Sequence, residues 1–162
     1  MREHFDTLIQ TVTRQIAGRP LDDALQAWLN AGYGAHSVWF REISEACIQA
    51  VEDGWMCQHE AAGLRYGRVT KPSDASNGFS VDVVSMQDMR GPHHRHPNGE
   101  IDLIMPLTEG AQFDGSNAGW KVYGPQSAHY PTVTNGAAHV LYLLPQGKIE
   151  FTTQHSTCSN KQ

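Results

Sequence analysis

The run Gly91-Pro92-His93-His94-Arg95-His96-Pro97-Asn98-Gly99-Glu100 places three histidines and a glutamate within ten residues. In an extended strand successive side chains alternate between faces, so His94 and His96 project together while His93 and Arg95 point the other way. The turn residues Pro97, Asn98 and Gly99 can bring Glu100 round to the same side. His129, in Gly124-Pro125-Gln126-Ser127-Ala128-His129, can then close the set from a neighbouring strand. His94, His96, Glu100 and His129 are therefore candidate metal ligands. Mixed imidazole and carboxylate donors suit a divalent transition metal such as iron, manganese, zinc, nickel or cobalt, and the residue types alone do not choose among them. Glu100 has a second possible role as general acid beside the metal.

These donors need a rigid frame. The first third of the chain reads as helical: Phe5, Leu8, Ile9, Val12 and Ile16 recur at three- and four-residue spacing, one apolar helix face. Gly18 and Pro20 end that pattern. A second short helix is expected over 21–29, closed by Asn30, Gly32 and Gly34. A third, capped by Ser37 and stopped by Gly54, carries Phe40, Ile43, Cys47, Ile48 and Val51 on one stripe.

From Leu64 onward short β-rich runs alternate with turn residues. Strands are predicted over 64–70, 79–86, 100–107, 111–113, 119–123, 129–134, 139–144 and 148–153, with Asn77-Gly78, Asp114-Gly115 and Asn135-Gly136 among the breaks. Closely spaced strands without intervening helices imply an antiparallel barrel or sandwich. The expected organisation is a helical segment at 1–60 packed on a barrel at 61–155, with a flexible tail at 156–162. Barrel edges and exposed helices leave room for a homodimer.

With 162 residues and 40% hydrophobic content the chain can bury one substantial core. A net charge of −5 supplies no basic footprint for nucleic acid. No apolar run is long enough for a membrane-spanning helix, and Met1-Arg2-Glu3-His4-Phe5-Asp6 lacks the features of a signal peptide. Cys47, Cys57 and Cys158 are odd in number and show no CxxC spacing, which suits free thiols in the cytoplasm. His4 and His155 read as solvated terminal residues, and His139, opening an apolar run, as structural.

The pattern His94-x-His96-x3-Glu100, followed by a Gly-Pro turn and His129, resembles the two motifs of the cupin superfamily. That resemblance implies a small antiparallel jelly-roll barrel with a metal on three histidines and one glutamate. Two positions depart from the pattern: Leu107 stands where the first motif ends in glycine, and Ser127 replaces a glycine of the second. A more specific resemblance extends through Gly91-Pro92-x-His94-x-His96-Pro97-Asn98-Gly99-Glu100-Ile101, Phe113-Asp114-Gly115, Gly119-Trp120-x-Val122-Tyr123, His129-x-Pro131-Thr132-Val133-Thr134 and Leu141-Tyr142-x-Leu144-Pro145-x-Gly147-x-Ile149-Glu150. With the helical first third, these are similar to the bacterial 4-hydroxylaminobenzoate lyases of nitrobenzoate catabolism.

The resemblance implies conversion of 4-hydroxylaminobenzoate to 3,4-dihydroxybenzoate and ammonia. Such a reaction needs an acid, a positioned water and a dry aromatic pocket. Asp102, two residues beyond Glu100 on the same strand face, is the candidate proton shuttle. A substrate carboxylate calls for a cation: Arg90 is the candidate, with Arg95, Arg65 and Arg68 also within the barrel sequence. Trp120, Tyr123 and Tyr130 are candidates to stack on the substrate ring. Two other functions fit the same motifs: a cupin dioxygenase or isomerase of another small aromatic or keto acid, and a non-catalytic cupin that binds a small ligand.

Overall fold

The computed structural model describes residues 2–152, so the tail at 156–162, His155 and Cys158 lie outside the described residues. Three helices come first: α1 (Arg2–Ile16), α2 (Asp23–Tyr33) and α3 (Val38–Asp53). The apolar stripe of α1 is buried as its spacing requires. Asp22 caps α2 by accepting the Leu25 amide, and Ser37 caps α3 by accepting the Phe40 amide. Gly54 ends α3 in the left-handed conformation, its amide bonded to the Ala50 and Val51 carbonyls. Helix α2 runs four residues past its expected end, through Gly32. Asn30 does not close the helix; its side chain makes two hydrogen bonds to the Trp120 backbone, donating to its carbonyl and accepting from its amide.

The strands are β1 (His59–Ala61), β2 (Leu64–Thr70), β3 (Phe79–Arg90), β4 (His94–His96), β5 (Glu100–Pro106), β6 (Gln112–Phe113), β7 (Gly119–Tyr123), β8 (Ser127–His129), β9 (Thr132–Pro145) and β10 (Glu150–Phe151). All pair antiparallel. A large sheet has the order β1-β2-β3-β9-β5-β7, with β6 also on β9; a small sheet has the order β10-β4-β8. This is the cupin-type jelly-roll architecture, a barrel flattened between two sheets.

The two faces of the large sheet bury different cores. Val81, Val83, Leu103, Trp120, Leu141 and Leu143 pack against the helices. Val84, Ile104, Val140, Tyr142 and Leu144 face the barrel interior. Strand alternation separates the two sets. The site must therefore lie on the second face, opposite the small sheet.

One expected turn is absent. Asn135 and Gly136 do not separate two strands; they bulge within the continuous β9, with φ of 63° and 125°. The pairing of β9 with β3 slips at the same level, between Gln87 and Met89, and the Gly136 amide is bound by Asp88 Oδ1 at 3.0 Å. Positive φ at consecutive residues serves a hairpin turn and a bulge alike, so the dipeptide does not distinguish them. Likewise the expected strand at 129–134 is two pieces, the end of β8 and the start of β9.

Candidate metal centre

Strand β4 runs between β10 and β8, with His94 opposite His129 and His96 opposite Ser127. Alternation puts His94 and His96 on its inner face and Arg95 outside, where Arg95 pairs with Glu150 at 2.7 Å. His93 also turns away, its Nδ1 2.6 Å from the Thr152 hydroxyl. The turn after His96 is closed by the Gly99 amide on the His96 carbonyl at 3.1 Å. Gly99 has φ of +87°, and a Cβ there would stand 2.6 Å from Leu21 Cδ2 and 2.7 Å from the Tyr123 carbonyl oxygen. Only glycine suits both the conformation and the space. The chain thus enters β5 with Glu100 directed at the two imidazoles.

The four donor atoms lie within 4.8 Å of one another. His94 Nε2 is 3.1 Å from His129 Nε2 and 3.4 Å from Glu100 Oε1. His96 Nε2 is 3.1 Å from Glu100 Oε1, and His129 Nε2 is 3.7 Å from Glu100 Oε2. Ligands bonded to one ion at about 2.1 Å stand about 3.0 Å apart at right angles and about 3.4 Å apart at tetrahedral angles. The contacts of 3.1, 3.4 and 3.1 Å fall in that range, and the 3.7 Å between His129 Nε2 and Glu100 Oε2 lies just beyond it.

Hydrogen bonds behind the rings fix which nitrogen faces inward. Ser127 Oγ donates to the Gly124 carbonyl at 2.6 Å, so at its 2.9 Å contact with His96 Nδ1 it acts as acceptor, and Nδ1 carries the proton. His129 Nδ1 lies 2.5 Å from Asp114 Oδ2 and donates to that carboxylate. His96 Nε2 and His129 Nε2 therefore present lone pairs to the centre. Within the barrel, His96 Nε2 and both Glu100 oxygens are buried without hydrogen-bond partners. Buried orphan donors of this kind are the chemistry of a cation site, and the residues fit a divalent transition metal. Ser127, one of the departures from the cupin pattern, is what orients His96.

The two carboxyls on the inner face of β5 are driven in opposite directions. Burial opposes ionisation of Glu100, but the facing imidazoles of His129, His94 and His96 outweigh it and hold its pKa well below the usual carboxylate range. Asp102 is fully buried, and burial followed by the charge of Glu100 pushes its pKa well above that range. The ionised form is favoured at Glu100 and opposed at Asp102. Burial disfavours a charged His129, yet its bonds to Asp114 and Glu100 raise its pKa to about 9, so proton and metal compete for Nε2.

Not all of the predicted site residues meet here. The Tyr123 ring is 4.6 Å from the His129 ring and 5.4 Å from that of His96, centre to centre. Trp120, by contrast, lies on the helix-covered face, stacked on Trp39 at 5.6 Å and bonded through Nε1 to the Tyr33 carbonyl. Alternation along β7 forbids Trp120 and Tyr123 from sharing a face. Arg90 and Tyr130 form a separate cluster, the guanidinium 4.4 Å above the Tyr130 ring and that ring 4.7 Å from His93. Tyr130 follows the inward His129, so it turns outward with His93.

Sequence reasoning missed Asp114 as a site residue. It receives the Tyr123 hydroxyl and His129 Nδ1 on Oδ2, and the Thr132 amide on Oδ1 at 2.9 Å. Burial opposes its ionisation, but the hydrogen bonds from His129 and Tyr123 lower its pKa. In the sequence it looks like half of an Asp-Gly turn, and nothing local signals its reach to His129. Lys121 was also passed over, although same-face alternation with Tyr123 marks it.

Comparison with known proteins finds relatives over most of the chain. The family model described as "PnbB: 4-hydroxylaminobenzoate lyase" matches residues 7–151. A 4-hydroxylaminobenzoate lyase of Nocardioides sp. (strain LMS-CY) is 35% identical over 85% of this chain and 86% of its own. Another from Pseudomonas putida is 35% identical over 80% of this chain and 84% of its own. Among solved structures, an RmlC-like cupin protein from Ralstonia eutropha JMP134 aligns over 59% of this chain and 63% of that chain, with 10% identity and a TM-score of 0.43.

Proposed function

The chain belongs to the 4-hydroxylaminobenzoate lyase family, and we propose that it converts 4-hydroxylaminobenzoate to 3,4-dihydroxybenzoate and ammonia. The observation that carries this reading is the convergence of three imidazoles and Glu100 at one centre beside the fully buried carboxyl of Asp102. His94, His96, Glu100 and His129 hold a divalent transition metal. When bound, that ion supplies Lewis-acid charge, polarising the hydroxylamino oxygen or lowering the pKa of water.

The reaction consumes one water overall and is redox-neutral. Asp102 donates its proton to the hydroxylamino oxygen, the N–O bond breaks, and that oxygen leaves as water. The electron-poor ring accepts a second water at the carbon ortho to nitrogen. A third water hydrolyses the resulting imine, releasing ammonia, and loss of the ring proton restores aromaticity. Asp102 is reprotonated from the water that adds. The Tyr123 ring, against His129 and His96, offers the face on which the substrate ring stacks.

Anaerobic incubation with 4-hydroxylaminobenzoate tests the proposal, with stoichiometric 3,4-dihydroxybenzoate and ammonia expected. A strict oxygen requirement would point to a dioxygenase and overturn it. Chelation should abolish turnover, and elemental analysis of the active protein names the ion. No helix among the described residues is long and apolar enough to cross a membrane. Cys47 and Cys57 are buried free thiols, which fits the cytoplasm as the working compartment.

A further inference from the structure

We infer that Lys121 is the residue that receives the substrate carboxylate, an inference that rests on the proposed aromatic-acid substrate. The para-substituted ring places its carboxylate at the end opposite the hydroxylamino group. A cation for it must therefore stand about one aromatic ring away from the metal ligands, on the same interior face.

Lys121 stands there. On β7, Trp120 and Val122 pack toward the helices, so Lys121 and Tyr123 face the barrel side. Lys121 is half-buried and lies opposite Asp102 across the β5–β7 pairing. Its Nζ is 5.5 Å from the centre of the Tyr123 ring, whose other neighbours are His129 and His96. Tyr123 thus spans the interval between the ammonium and the ligand imidazoles. At the cluster the His129 and Asp114 side chains retain 12% and 14% exposure, while Glu100 and His96 have none.

The arginines are committed elsewhere. Arg68 makes a two-pronged pair with Asp82 at 2.9 and 3.1 Å and also reaches the Gly147 carbonyl. Arg95 is held by Glu150 outside β4, and Arg90 lies over Tyr130. Arg65 stands opposite Ser85, on the sheet face that carries Val83 and not the barrel interior. Lys121 joins none of the ion pairs among the described residues. An uncompensated ammonium on an inner face, beside an aromatic platform, is suited to a carboxylate at the ring's far end.

The test measures binding of 4-aminobenzoate, an unreactive carboxylate of the same outline, and turnover of 4-hydroxylaminobenzoate. Wild type, Lys121→Met and Lys121→Arg are compared, each with metal content and circular dichroism checked. Lys121→Met should weaken 4-aminobenzoate binding and raise KM at least tenfold with metal content unchanged, and Lys121→Arg should restore both to within a few-fold. Undiminished binding by folded, metal-loaded Lys121→Met overturns the inference. If wild type binds 4-aminobenzoate in a Lys121-dependent way but releases no ammonia, the carboxylate site stands and the lyase reading falls. If wild type binds no 4-aminobenzoate, the inference falls whatever the turnover. Should Lys121→Met not fold, Lys121→Gln provides the same comparison.

Discussion

Asp114 Oδ2 holds His129 Nδ1 at 2.5 Å while His129 Nε2 faces His94 and Glu100. The carboxylate sets the tautomer and ring plane of a ligand that reaches the centre from a separate strand. Such an outer carboxylate raises ligand basicity and restricts the ring's rotation. Asp114 is itself fixed by the Tyr123 hydroxyl and the Thr132 amide, so the orientation of His129 depends on three chain segments.

Asp114→Asn keeps the size of the side chain but removes its charge. Metal affinity should fall by about 10- to 100-fold, read by competition with a chromophoric chelator. The circular dichroism spectrum should be unchanged. Equal affinity in the two proteins would show that Asp114 does not act through His129.

Asp102→Asn replaces a buried carboxyl, whose pKa burial and the charge of Glu100 raise, with a neutral group of equal size. Folding and metal content should survive, because Asp102 is not one of the four donors. Turnover should drop by about 10²- to 10⁴-fold, the usual contribution of a positioned acid. A variant with full kcat would remove Asp102 from the proton path.

Trp120→Ala should destabilise without altering the chemistry. The side chain is 3% exposed in the helix–sheet core, and truncations of this kind cost about 3–5 kcal/mol. Urea denaturation should show that loss, while KM for the substrate and metal affinity remain those of wild type. A raised KM with unchanged stability would place Trp120 at the substrate after all.

His139 gives the fold an acid-sensitive element away from the metal. Burial first, and the charge of Arg65 second, lower its pKa from 6.5 to about 4. Above pH 6.5 the imidazole is neutral whether the chain is folded or not, and stability is undiminished. Below that, the unfolded chain takes up a proton that the folded chain refuses until about pH 4, so stability falls across this window. The loss approaches about 3 kcal/mol at one unit per 1.4 kcal/mol. Denaturant midpoints at pH 7.5 and pH 4.5 should differ less in His139→Leu than in wild type.

Features set by neighbouring residues were legible in the sequence. The stripe of α1 and the caps of α3 follow from spacing and side-chain chemistry alone. Strands β2 and β7 begin and end where their turn residues say. The strand alternation that directs His94 and His96 inward also directs His93 and Arg95 away. The Asn135-Gly136 bulge was not legible, because its meaning depends on the slipped partner strand β3.

By itself, the sequence determined the donor types, their spacing and the local elements that carry them, since each depends on backbone geometry over a few residues. Only the tertiary structure decided which face of each strand meets the metal centre, because that choice belongs to the helices covering the other face of the large sheet. That packing places Trp120 on the helix side and Lys121 with Tyr123 on the other. It also carries Asp114 to His129, a contact between side chains fifteen residues apart that no local pattern encodes.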